Sequence, residues 1–180
     1  MDQTITHWIN GFARLYAVLD ALMIAASQAG VQLLVFLVAV QWWSGKERSH
    51  VRHSCVAAGL SFIIGLGFNQ VILLFVQRVR PYDAGLSQLI VPPSADWSFP
   101  SDHATASMAI AAAFLIHKLP FRATAFGLLA LIICWSRIFV GTHYVTDVLG
   151  GALTGLAAAV LVKLAYREGT RVDRLITGVL

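Results

Sequence analysis

The sequence predicts an all-α, polytopic membrane bundle, and three observations carry that reading. Of the residues, 58% are hydrophobic and only 12% charged, with mean hydropathy +0.73; a soluble domain carries about twice that charged fraction. The apolar residues fall into long runs close to the ~20 residues a helix needs to cross a bilayer. The basic residues gather in alternate connections, the bias that orients membrane proteins. Nothing in 180 residues calls for a second unit, so 1–180 is read as a single domain.

Residues 4–14 mix Trp8, Ile9 and Phe12 with polar positions, the pattern of a short interfacial amphipathic helix. A first span follows over about 17–43, ending on Trp42 and Trp43 at the level of an aromatic belt. Further spans are expected over about 54–77, 102–118, 122–141 and 144–167, the third being the shortest. That makes five, or six if the first is split at Asp20, Gln28 and Gln32. No positive stretch directly precedes an apolar run at the N-terminus, so the first span is expected to stay as an anchor. The connection 78–101 holds four of the five prolines. Cys55 and Cys134 each lie inside an apolar run and read as buried small hydrophobes.

Charge sets the orientation. With the N-terminus outside, Lys46, Arg48, Arg52, Lys118, Arg122, Lys163, Arg167, Arg171 and Arg174 all fall inside. The remaining basic residues are Arg14, Arg78, Arg80 and Arg137, three of them in chemically distinctive stretches. The excess of Lys and Arg over Asp and Glu, 13 to 9, is thereby a matter of topology. It forms no continuous basic face with interleaved aromatics, so nucleic acid is not expected as a partner.

Three polar stretches border the spans, where ionisable groups are costly and mark function. They are Arg80-Pro81, then Pro100-Ser101-Asp102-His103, then Ser136-Arg137 with His143 and Asp147. The predicted topology puts all three on the external face. Proline and serine suit the start of a helix, and the free amides there make an anion cradle. An ordinary helix start explains Pro100 and Ser101, but not His103 one turn into an apolar helix. Asp147 follows His143 by four residues, so the two share a helical face. A carboxylate on one imidazole nitrogen would leave the other free as nucleophile or base. Arg80 and Arg137 offer planar guanidinium groups that grip phosphate oxygens. His103, His143 and Asp147 could also supply three ligands to a metal. Two nearby arginines favour an anion over a cation, so neither metal nor cofactor is expected. His50 and His53 read as solvated residues of the inner loop, His117 as interfacial, and Gly151 with Gly155 as a helix-packing step.

The three stretches resemble the signature of the type 2 phosphatidic acid phosphatase superfamily: K-x6-R-P, then P-S-G-H, then S-R-x5-H-x3-D. The third element matches throughout, from Ser136 and Arg137 to His143 and Asp147. The resemblance implies a helical membrane phosphatase working without metal through a phosphohistidine. By it, His143 is the nucleophile and Asp147 its orienting group. His103 is the acid for the leaving group and then the base for water. Arg80, Ser101 and Arg137 hold the phosphate. Two positions depart from the pattern. Leu73 stands where the family has lysine, so either Arg78 supplies the missing charge or the phosphate is held by one contact fewer. Asp102 replaces the glycine and borders the phosphate cradle, either repelling a dianion or, with a raised pKa, donating to it. Aspartate there is similar to the bacitracin-resistance branch, which implies undecaprenyl diphosphate as substrate and a bacterial plasma membrane with the site facing the periplasm or outside. The same chemistry on phosphatidylglycerol phosphate, phosphatidate or a lipid A phosphate is the enzymatic alternative. An inactive lipid-binding scaffold or a transporter is the alternative of another class.

Overall fold

The computed structural model describes residues 1–44 and 48–178. Among them are seven α-helices: α1 Asp2–Asn10, α2 Ala17–Gln41, α3 Arg48–Leu73, α4 Asp102–Ile116, α5 Pro120–Phe139, α6 Val145–Ala165 and α7 Arg171–Thr177. No strand occurs among the described residues. Four helices, α2, α3, α5 and α6, are long and apolar enough to span a membrane. The fifth expected span, α4, has 15 residues, or about 22 Å at 1.5 Å per residue.

That short helix is the centre of the bundle. It packs against α3, α5 and α6, and α2 closes the side of α5. Alanines at 104, 106, 109, 111, 112 and 113 and Phe114 are all buried, so neighbours surround α4 rather than lipid. The predicted glycine step sets its distance from α6. A methyl group on Gly155 would lie 2.4 Å from the Thr105 carbonyl oxygen, and one on Gly151 2.3 Å from that of Ser101. Only glycine lets the two backbones approach so closely.

The connections 117–119 and 140–144 set α5 antiparallel to both α4 and α6, which run parallel to each other. The starts of α4 and α6, the end of α5, helix α1 and segment 74–101 therefore meet at one end. Asn10 ties them together, donating to the carbonyls of Gln88 and Phe139 and accepting from the Gln88 amide at 2.7–2.9 Å. Its outer neighbours Ile5, Trp8 and Phe12 are exposed, as an interfacial helix requires. Cys55 and Cys134 are free and buried, in line with their apolar surroundings in the sequence.

The other end differs from expectation. Helix α3 begins at Arg48, so His50, Arg52 and His53 are helical rather than loop residues. His53 is fully buried: Nδ1 meets Asp173 of α7 at 2.7 Å, its ring stacks on Tyr166, and its edge meets His117. A solvated His53 leaves out α7, a short helix 120 residues away whose acid makes the burial tolerable. His117 is likewise buried. Of the expected inner basic residues, Lys46 lies outside the described residues.

Candidate active site

Leu73, Arg80, Ser94, Asp96, Trp97, Pro100, Asp102, His103, Arg137 and His143 line one pocket of about 80 Å³. Five predicted site residues, Arg80, Asp102, His103, Arg137 and His143, thus converge from segment 74–101, the first turn of α4, the last turn of α5 and the 140–144 connection.

His143 immediately precedes the N-cap of α6. Its Nδ1 donates to the Ser98 carbonyl at 2.8 Å, which fixes the tautomer and leaves the Nε2 lone pair facing Arg80 Nη1 at 3.2 Å. Burial, with Arg137 and Arg80 nearby, pushes the imidazole down to about 4 against the opposite pull of Asp147. The ring is therefore neutral at physiological pH, the state a nucleophile needs.

Asp147 does not take the Nδ1 proton as expected: its Oδ2 is 3.6 Å away. The carboxylate is the third residue of α6 and folds back to accept from the Tyr144 amide at 2.9 Å, half of a capping box. It also accepts from the Ser98 hydroxyl and from Arg78 Nη1. Orientation of the imidazole thus runs through Ser98, whose hydroxyl is held by Asp147 and whose carbonyl holds His143.

Two donors in the cradle stand without partners. Ser101 is the N-cap of α4, yet its hydroxyl makes no capping bond and is buried unpaired. Arg137 gives Nη1 to the Ser27 hydroxyl of α2 at 2.5 Å while its buried Nε is unpaired. A buried donor without an acceptor costs about 1–3 kcal/mol; Arg137 lines the pocket, whereas Ser101 is not among its lining residues. Arg80 is more occupied. It donates to the carbonyls of Asp96 and Thr142 and, through Nη2, to the Asp96 carboxylate at 2.7 Å. Burial of Asp96 is outweighed by bonds from Ser94 and Arg80, so its carboxyl stays below the usual range and ionised.

Arg78 corrects a second expectation. It does not line the pocket but sits behind Asp147, spanning Asp147 Oδ1, Thr146 Oγ1 and Asp2 Oδ2 at 2.6 Å each, with its guanidinium over the Tyr144 ring. Burial lowers its pKa, but the two carboxylates outweigh that and raise it. The place of the family lysine, Leu73, does line the pocket, so the charge missing there is not restored by Arg78. Asp102 accepts from Asn69 Nδ2 at 2.6 Å, and Asn69 also bonds Thr105 and Thr154. The sequence reading does not single out Ser27, Asp96 or Ser98 as site residues. Each is a single polar residue with no spacing to mark it, although Ser98 and Asp96 lie just ahead of the Pro100–His103 stretch.

A second pocket adjoins the first. It is an apolar groove of about 460 Å³ between α2, α3 and α4, lined by Val31, Gln32, Val35, Phe62, Leu66 and Ala106, with Asp102 and His103 at its head. The arrangement joins a pocket lined by two arginines and two histidines to an apolar groove inside a helical bundle with four candidate membrane spans. The model of the PAP2 superfamily matches residues 54–171, and the chain belongs to that family. Undecaprenyl-diphosphatase BcrC of Bacillus subtilis is 34% identical over 158 residues, covering 87% of this chain and 79% of the relative. Among solved structures, a transmembrane PAP2-type phosphatidylglycerolphosphate phosphatase from Bacillus subtilis is 26% identical with TM-score 0.65, covering 94% of this chain and 88% of the other. Aquifex aeolicus LpxE is 25% identical with TM-score 0.67, covering 92% and 95% respectively. The protein is a multi-pass membrane lipid phosphatase.

Proposed function

We propose that this phosphatase removes the terminal phosphate of a polyprenyl diphosphate, in the manner of undecaprenyl diphosphate. The observation that carries the reading is the position of His103, which borders both the phosphate pocket and the apolar groove. The bond between the transferred phosphoryl group and the lipid belongs at that junction.

Nε2 of His143 attacks phosphorus in line while the bond to the bridging oxygen breaks. His103 gives its proton to that oxygen, and the lipid monophosphate departs. His103 then takes a proton from water, which attacks the phosphohistidine and releases inorganic phosphate. Arg80, Arg137 and the Ser101 hydroxyl neutralise the equatorial oxygens, the main requirement of phosphoryl transfer. The sequence relation to the undecaprenyl-diphosphatase supports a diphosphate on a single polyprenyl chain, and the apolar groove beside His103 supports a hydrocarbon tail next to the scissile bond. The basic residues at the end opposite the site support a periplasmic or external orientation in a bacterial plasma membrane. Recycling of the cell-wall carrier lipid follows from that placement.

The test is phosphate release by the purified protein in detergent with EDTA. Undecaprenyl diphosphate, phosphatidylglycerol phosphate and phosphatidate are offered side by side. Preferred hydrolysis of the first supports the reading, and preference for either glycerolipid replaces the substrate while keeping the chemistry. A stable phosphorylated protein trapped by rapid quench, absent from His143→Ala, tests the intermediate.

A further inference from the structure

The start of α6 carries the reacting imidazole, and its free amides are capped by another helix. Its own N-cap, Tyr144, provides no ordinary side-chain cap. Instead the Val145 amide donates to Thr6 Oγ1 at 3.2 Å and the Thr146 amide to Asp2 Oδ1 at 3.1 Å, both on α1. Asp2 Oδ2 accepts from the Thr146 hydroxyl and from Arg78 at 2.6 Å each. Arg78 closes the circuit onto Asp147 at 2.6 Å. Thr6 is fully buried, and Asn10 fastens the far end of α1 to segment 74–101 and α5.

We infer that α1 is a trans-acting cap of the catalytic helix, with Asp2, Thr6 and Arg78 as positioning residues that set the place of His143 and Asp147 without touching substrate. This rests on the phosphatase reading. The capping oxygens occupy the donors that a helix start leaves unsatisfied, where serine or aspartate ordinarily acts from the same segment. The Asp2–Arg78–Asp147 chain is an ion-pair relay along the back of the site. Its guanidinium satisfies three partners at once, a geometry an ammonium cannot reproduce. The departure at Leu73 is then accompanied by a cation placed elsewhere, which holds the carboxylate and not the phosphate.

Two readouts test this on the full chain in detergent: deuterium uptake by residues 144–147, and kcat, KM and inhibition by inorganic phosphate. Asp2→Leu keeps the volume and removes both oxygens, and Thr6→Val removes the other acceptor. Both are expected to raise uptake and to lower kcat by roughly tenfold, with KM and phosphate inhibition unchanged, since small misplacement of reacting groups costs rate rather than binding. Asp2→Asn keeps an acceptor for the Thr146 amide and restores the protection. Arg78→Lys is expected to lower kcat in the same way, again with phosphate inhibition unchanged. Unchanged uptake in Asp2→Leu and Thr6→Val overturns the cap. Weakened phosphate inhibition in Arg78→Lys, with kcat preserved, overturns the positioning role. If the wild type hydrolyses none of the phospholipids offered, the phosphatase reading fails, while the exchange data still decide the cap.

Discussion

His143 keeps its Nδ1 proton on a main-chain carbonyl, so a neutral amide at position 147 leaves the tautomer intact. In a triad where the carboxylate accepts the Nδ1–H hydrogen bond directly, amide substitution costs about 10⁴ in rate. Asp147→Asn is accordingly expected to cost far less, about 10², through loss of the charge that steadies Ser98 and Arg78; single-turnover kinetics measures it. Leu73→Lys is the opposite experiment. It restores a cation at a position that lines the pocket, and tighter inhibition by inorganic phosphate, about fivefold, is expected from one added charge-assisted bond. His103, Arg137, His143 and Asp147 are legible in the sequence because ionisable residues at the ends of apolar runs stand out against their surroundings. Ser98 and Asp96 are not, because their importance comes from partners 49 and 16 residues away rather than from a local pattern.

The helices are legible to within a turn at most ends, because hydropathy alone bounds a membrane segment. α1 stops at Asn10 rather than near 14, and α3 misses at both ends. It starts at Arg48 rather than near 54, since His50, Arg52 and His53 look like loop residues until the tail helix supplies their partners, and it stops at Leu73 rather than 77. The Gly151–Gly155 step reads as a packing face in sequence, and its geometry makes a sharper statement. A leucine at 155 must push α6 away from the Thr105 backbone, and overpacking of this kind costs about 1–3 kcal/mol. Because α4 carries His103 and α6 follows His143, separating them also misaligns the proposed acid and nucleophile. Gly155→Leu is expected to lower both the unfolding temperature in detergent and kcat. An active variant with an unchanged melt would show that the two helices tolerate the wider spacing.

At the scale of the molecule, the chain concentrates buried imidazoles at opposite ends: His143 in the wall of the arginine-lined pocket, and His117 beside His53 near the tail. Burial holds both His143 and His117 down to about 4 from an ordinary value of 6.5. The folded protein therefore binds fewer protons than the unfolded chain between those values. Their contribution to stability is full above about pH 6.5 and is lost as the pH falls toward 4, with no further loss from these groups below that. Unfolding temperature followed across that range checks the sign, and His117→Gln is expected to flatten the slope. The one-ended gathering of polar stretches is legible from charge bias and helix count together. Two further features have no local signal: the inward turn of α1, and the clasp of α7 on α3.

The shortness of α4 carries a consequence for biogenesis. At about 22 Å it falls short of the ~30 Å hydrocarbon core, and it brings His103, Thr105 and Ser107 with it. Such a segment leaving the ribosome gains little by partitioning into lipid alone. The tight turn at 117–119 delivers α5 immediately behind it, and α5 is long and apolar enough to supply the hydrophobic drive for the pair. Only when α6 arrives does α4 exchange lipid for helix on its remaining side, and only then do the two histidines face each other. The pocket that both histidines line can therefore close only once α6 is in place.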